Sequence, residues 1–335
     1  MLLIDSLYIH RTGTKVLLNY LVSELETKNI EPYYLFDLRC SDDFKSIPDE
    51  RKKFLHASLW NRHRFYKENM NRFTSIFCLG NIPPSLKLKD RKVITYFHQY
   101  FFLRKVYPSE LKEKIMFLFK KIILTFFYKN TDIVVVQSDF IKNEFIKTYG
   151  FQFNRVLEIP FFDIPPLPKM NSKKRENSFV YVSEGYIHKN HLRLLKAWEL
   201  LSDENYYPEL GLTIDVNLYP KINNEIKRLQ QKGLNIINYG FTDPYKLYKE
   251  YEYLIYPSTL ETLGLSQVEA INCGCKVIAS NLPHTFAIVQ PSAVFDPLSV
   301  DSIKKTVLDV LQSNGLQESK IIIKNKITEL IELIR

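Results

Sequence analysis

Residues 159–178 read IPFFDIPPLPKMNSKKRENS. Four prolines and a polar, basic tail give the stretch neither helical nor strand periodicity, so it reads as a linker. Its place in the chain decides the fold, because the same pattern of elements stands on both sides of it. Upstream, strand-like runs at 2–4, 33–36, 75–78, 92–97 and 133–136 are separated by helical stretches. The first of these is a helix-period run through Val16, Leu17, Tyr20, Leu21 and Leu25 that follows a polar loop holding Gly13. Downstream the alternation restarts, with strands at 179–182, 212–218, 235–237, 253–256 and 277–279, a helix over 191–201 and another through Val268 and Ile271. Alternation of this kind favours parallel sheets with helices on both faces. The expected class is α/β, with two Rossmann-like, doubly wound domains facing an interdomain cleft. The expected bounds are 1–162 for an acceptor domain, 163–178 for the linker, 179–315 for a donor domain, and 316–335 for a C-terminal helix packing back toward the first domain.

Composition agrees with that reading. The chain has 335 residues, more than one core usually organises, and 45% apolar with 25% charged residues is ordinary for a folded domain protein. A net charge of +9 attracts phosphates, anionic headgroups or nucleic acid, and by itself does not choose among them. Cys40, Cys78, Cys273 and Cys275 lack the spacing of a disulfide framework or a zinc site, which fits a reducing cytoplasm. The start, Met1-Leu-Leu-Ile-Asp5, reads as a strand and not as a signal peptide, and no apolar run reaches the roughly 18 residues of a membrane span.

The segment 258–280, STLETLGLSQVEAINCGCKVIAS, carries the most chemistry. Glu261 lies in the loop after a strand, Gly264 and Leu265 lead into a helix, and Glu269 is expected on its first turn. A helix start offers N–H groups and positive dipole to a diphosphate, and glycine allows close backbone approach. Two carboxylates there are unsuited to phosphate and are expected to meet hydroxyl groups or a cation. Ser266-Gln267-Val268-Glu269 also reads as a capping box, in which Glu269 returns to the Ser266 amide.

The spacing of Glu261 and Glu269, the intervening Gly264-Leu265 and the trailing EAINCGCKVIAS resemble the donor-site signature of the retaining, GT-B-fold glycosyltransferases of family 4 (group 1). The resemblance implies that Glu261 stands by the transferred sugar and Glu269 binds the ribose hydroxyls. Thr262-Leu263 occupies the place where the family often has Gly-Phe. The run FVYVSEGYIHKNHLRLLKAWELL at 179–201 is similar to the opening strand, loop and helix of the family's donor domain. Lys189 then falls on the donor diphosphate, while Ser183-Glu184 replaces the usual Gly-Arg, and His188 and His191 are candidates to compensate. Asn238-Tyr239-Gly240-Phe241 resembles the turn that meets the nucleobase, and 282–297 the closing segment.

In the first half, GNIPP at 80–84, VITYFHQ at 93–99 and TDIVVVQSDFIKNEF at 131–145 resemble elements of the family's acceptor domain. They make His98, at a strand's carboxyl end, a catalytic candidate whose near-neutral pKa suits proton traffic. Gly13-Thr14 stands where a Gly-rich loop approaches the donor phosphates. The implied activity is retaining transfer of a sugar from a UDP- or GDP-linked donor to an acceptor hydroxyl, in bacterial polysaccharide or glycoconjugate assembly. No metal is expected, because Asp-x-Asp is absent from the sequence. Catalysis is expected from Glu261, His98 and Lys189, and donor binding from Glu269, Gly264, Leu265, Thr262, Gly240, Phe241, Gly13, Thr14 and His188. Rival readings are a GT-B nucleotide-sugar epimerase, a basic nucleic-acid-binding protein and an inactive scaffold. The expected partners are the nucleotide-sugar, a saccharide or lipid-linked acceptor and no nucleic acid. The run LKEKIMFLFKKIILTFFYK at 111–129, apolar and interrupted by lysines, is expected either to lie on an anionic membrane surface or to pack on the first sheet.

Overall fold

The computed structural model describes residues 1–10, 12–103, 111–164, 173–313 and 315–335, so most of the prolines quoted at the outset lie outside the described residues. The chain divides into two units, Met1–Asp163 with Lys324–Arg335, and Ile164–Ile323.

In the first unit the elements run β1 (Leu2–Asp5), α1 (Thr12–Thr27), β2 (Tyr33–Asp37), β3 (Lys52–Leu55), α2 (Leu59–Asn69), β4 (Ser75–Cys78), β5 (Lys92–Tyr96), α3 (Leu111–Phe127), β6 (Ile133–Val136), α4 (Asp139–Tyr149) and β7 (Val156–Glu158). The strands form one parallel sheet in the order β3-β2-β1-β4-β5-β6-β7. The order reverses between β1 and β4, and every residue of these two strands is buried. Continuous apolar strands of this kind are what a sheet covered on both faces requires.

The second unit holds β8 (Arg175–Tyr181), α5 (His191–Asp203), β9 (Glu209–Leu212), α6 (Pro220–Gln231), β10 (Ile236–Asn238), α7 (Pro244–Glu250), β11 (Tyr251–Tyr256), α8 (Leu265–Asn272), β12 (Lys276–Ser280), α9 (Pro283–Phe286), β13 (Val289–Gln290), β14 (Ala293–Phe295), α10 (Val300–Gln312) and β15 (Lys320–Ile321). Its parallel sheet has the order β10-β9-β8-β11-β12-β14, reversing between β8 and β11. Both sheets are doubly wound, and in such sheets ligands bind at the carboxyl ends of the strands flanking the reversal.

Several expected boundaries move. The polar tail read as linker belongs to β8 from Arg175 onward, because Arg175 pairs with Glu209 and Glu250 and so satisfies its charge at the margin of the sheet. The strand expected over 212–218 ends at Leu212, where the Asp215 carboxylate accepts from the backbone N–H of Asn217 and Leu218 and turns the chain. The expected helix over 316–335 is confined to α11 (Ile327–Ile334). Lys320–Ile321 pairs instead with β13 in the second unit. The α11 helix packs within the first unit, where the Ser75 hydroxyl donates to the Ile334 carbonyl. In α3, Leu124 is buried, whereas Phe119, Ile122 and Phe126 are 62%, 67% and 61% exposed, so burial on the sheet does not account for its apolar residues. Among the described residues no helix is long and apolar enough to cross a membrane.

Candidate active site

The loops after β8 and β11 leave adjacent strands at the reversal of the second sheet, and the backbone fastens them to each other. The His188 carbonyl accepts from the Thr259 N–H at 2.8 Å and from the hydroxyls of Thr259 and Ser258. Asn190 takes the left-handed conformation at φ 65°, which asparagine tolerates better than most residues. Its buried amide donates to the carbonyls of Pro257 and Pro297. The next residue can then open α5, and Lys189 is held with its ammonium 2.6 Å from Glu261 Oε1. Sequence reading missed Asn190; the available signal was an asparagine directly before a helix start.

Both members of the pair are mostly shielded from water. Burial pushes the Glu261 carboxyl up, but the Lys189 ammonium outweighs it and holds the group below its ordinary value, with His284 adding to the effect. Glu261 is therefore a carboxylate at neutral pH with a fixed cation beside it. His188 stacks on Tyr186, and burial together with Lys189 lowers its imidazole pKa. His191 is buried against Tyr181, and burial pushes it down to about 3. His191 is therefore a buried core imidazole, while the Lys189 ammonium stands beside Glu261.

At the start of α8, Gly264 is itself the N-cap, with φ 58° and ψ 44°. Glycine suits it best, since an added Cβ would carry the strain of positive φ and would lie 2.8 Å from the Gln267 side-chain nitrogen, which would have to move. This corrects the capping-box reading: Ser266 is inside the helix, its side chain does not cap, and Glu269 is the fifth helical residue, one turn later than expected. Glu269 is mainly desolvated, and burial, reinforced by Asp243, pushes its carboxyl up to about 7. Leu265 and Thr262 are half-buried beside Gly264. Gly240, at φ 63°, follows β10, and the Phe241 ring after it is fully exposed.

The other expected residues lie in the first unit. Gly13 and Thr14 are in the first turn of α1 and not in a loop, because the helix begins at Thr12; a Cβ on Gly13 would meet nothing. The Thr14 hydroxyl lies 3.3 Å from His98 Nδ1. Burial pushes the His98 imidazole down to about 4, against the opposing effect of the Leu79 and His98 backbone carbonyls. Asn81, unforeseen in the sequence, accepts from the His98 N–H at 2.6 Å and touches His98 Nε2 at 2.7 Å. Among the described residues no group of three or more His, Cys, Asp or Glu stands where it could hold a metal ion.

Residues 167–328 match the family model described as glycosyl transferases group 1. A capsular polysaccharide biosynthesis glycosyltransferase of Staphylococcus aureus, CapH, is 28% identical over 280 residues, 80% of this chain and 71% of that protein. The Escherichia coli O-antigen chain mannosyltransferase B is 26% identical over 208 residues, and the match spans about half of its length. Among solved structures, Anabaena HepE in complex with UDP-glucose has a TM-score of 0.68 at 14% identity, covering 93% of this chain and 89% of that one. WaaG, a glycosyltransferase of lipopolysaccharide biosynthesis, has a TM-score of 0.65 at 14% identity, covering 93% and 91%. Residues 167–328 are therefore similar to the glycosyl transferases of group 1, on a chain whose fold is that of the GT-B glycosyltransferases.

Proposed function

We propose that the protein transfers a sugar, with retention, from a nucleoside-diphosphate sugar to an acceptor hydroxyl in bacterial surface polysaccharide or glycoconjugate assembly. The observation that carries the proposal is the Lys189–Glu261 pair at the reversal of the second sheet, beside a helix start capped by glycine. A transferring sugar becomes positive at its anomeric carbon while the departing diphosphate becomes more negative. A carboxylate and an ammonium fixed side by side match that separation of charge, and preorganised charges stabilise a transition state without reorganising. The N-terminus of α8 adds N–H groups for the diphosphate. Glu269 takes the ribose hydroxyls, and Gly240 with the exposed Phe241 lies by the base. His98 and Thr14 serve from the first unit, which takes the acceptor.

The donor is UDP- or GDP-linked. HepE was solved with UDP-glucose, and relatives include mannosyltransferases. Lys189 supplies the cation that a metal provides elsewhere, so the reaction needs none. The exposed apolar residues of α3, with Lys120, Lys121 and Lys129 and with no acidic residue from 114 to 129, support a peripheral position on an anionic membrane surface, where it would meet a lipid-linked acceptor.

Product analysis tests the reading. Incubation with UDP- and GDP-sugars and saccharide acceptors is expected to give a glycoside whose anomeric configuration by NMR is that of the donor, with undiminished turnover after exhaustive chelation. An inverted product would end the retaining assignment. Loss of turnover with EDTA, restored by magnesium or manganese, would end the metal-free one.

A further inference from the structure

His98 has hydrogen-bonding partners on both ring nitrogens, and one of them is fixed in a way that decides where the ring carries its proton. Asn81 Oδ1 accepts from the His98 backbone N–H at 2.6 Å, and that N–H can only donate. The other arm of the same amide is therefore the NH2 group, and it lies 2.7 Å from His98 Nε2. An NH2 group donates, so Nε2 accepts and the proton of the neutral ring sits on Nδ1. Nδ1 in turn lies 3.3 Å from the Thr14 hydroxyl, and the ring is also hydrogen-bonded by the backbone carbonyls of Leu79 and of His98 itself.

Asn81 has no freedom to present itself otherwise. It is 3% exposed and stands at φ 65°, and its carbonyl accepts from the buried Tyr128 hydroxyl at 3.0 Å. Before it, Gly80 passes so close to the loop after β1 that an added Cβ would lie 2.8 Å from the Leu7 carbonyl oxygen. After it, the buried Arg62 guanidinium donates to the carbonyls of Ile82 and Pro83 while pairing with Asp5 at 2.7 Å. Breaking a buried pair of this kind leaves an uncompensated charge, which makes the clamp stiff.

We infer that Asn81 is a positioning residue that fixes His98 as the Nδ1-protonated tautomer, so that Nε2 is held as an acceptor by Asn81 and the ring donates only through Nδ1, on the side where the Thr14 hydroxyl stands, for use at the ligand. The inference rests on the proposed reading only for the ligand. The tautomer belongs to the first unit alone. His98 then works as an oriented donor through Nδ1.

Long-range proton–nitrogen correlation spectra of the uniformly 15N-labelled full chain at pH 7.5, with His98 assigned by the H98Q variant, read the tautomer directly. The expected result is a protonated-type Nδ1 and an unprotonated-type Nε2. Asn81→Asp keeps a residue tolerant of positive φ but offers Nε2 a carboxylate. It is expected to put a proton on Nε2 and raise the ring's proton affinity about ten- to a thousandfold. A wild-type ring protonated on Nε2 would overturn the inference, and so would an Asn81→Asp ring unchanged from wild type. If no sugar transfer is ever seen, these spectra still decide the role of Asn81. If transfer is seen but the wild-type tautomer is the other one, the positioning role fails while the proposed function stands.

Discussion

Lys189 and Glu261 lie 72 residues apart in sequence and 2.6 Å apart in space. Their pairing makes each variant at one position speak about the other. Glu261→Gln keeps the shape and removes the negative charge, so kcat is expected to fall more than donor affinity, since the carboxylate acts on charge that appears during transfer. Lys189→Met is expected to lower kcat and raise donor KM, because the diphosphate is anionic both bound and leaving. Steady-state kinetics on the two variants and the double variant should show a coupling of about 0.5–3 kcal/mol. Additive losses would mean that the pair does not act as a unit.

Glu269 gives a pH signature. Its carboxyl is pushed up to about 7 by burial, and ribose hydroxyls need the carboxylate as acceptor. Donor affinity is therefore expected to rise roughly tenfold between pH 6 and 8, as a single group near 7 ionises, and to flatten in Glu269→Gln. For stability the sign is opposite. A carboxyl with a raised folded pKa favours the fold while protonated, and that contribution is lost as pH rises through about 7. Calorimetric donor titrations at several pH values check the first statement, and a pH-flat affinity in the wild type would contradict it.

At the scale of elements, the legible parts were those whose chemistry is local. Ser75–Cys78 and Ile133–Val136 stood out as apolar runs because their strands are central and buried. β3 did not, because Lys52-Lys53 opens an edge strand that water reaches. The start of α1 was placed too late because polar residues open it, and the tail of the linker hid a strand because its charges are satisfied by residues far away in sequence. In the site, Glu261, Gly264 and Lys189 were visible through their motif. Asn81 and Asn190 were not, since their roles depend on left-handed backbone and on carbonyls contributed by other loops. Exposure of α3 could not be told from burial by periodicity. Flotation with anionic liposomes at low salt is expected to carry the protein, and to carry it less when Phe119 and Ile122 are both changed to Ser. Failure to float with anionic lipid would remove the membrane surface from the account.

For the molecule as a whole, each unit brings candidate residues to the reversal of a doubly wound sheet, Thr14 and Asn81 after β1 and β4 in the first, Lys189 and Glu261 after β8 and β11 in the second, with His98 one strand further on, after β5. In the second unit those residues are charged, and in the first they form a neutral hydrogen-bonded chain. On the proposed reading, recognition of the nucleoside diphosphate falls to residues 164–323. A ligand that binds only the native state stabilises it by about 2.7 kcal/mol at a hundredfold its Kd. The most direct test is the melting temperature of the full chain titrated with UDP and with GDP, in the wild type and in Lys189→Met. A concentration-dependent rise with one of the two nucleotides, strongly reduced in Lys189→Met, is the predicted result. No rise with either at millimolar concentration, or an equal rise in the variant, would contradict the assignment of the donor site.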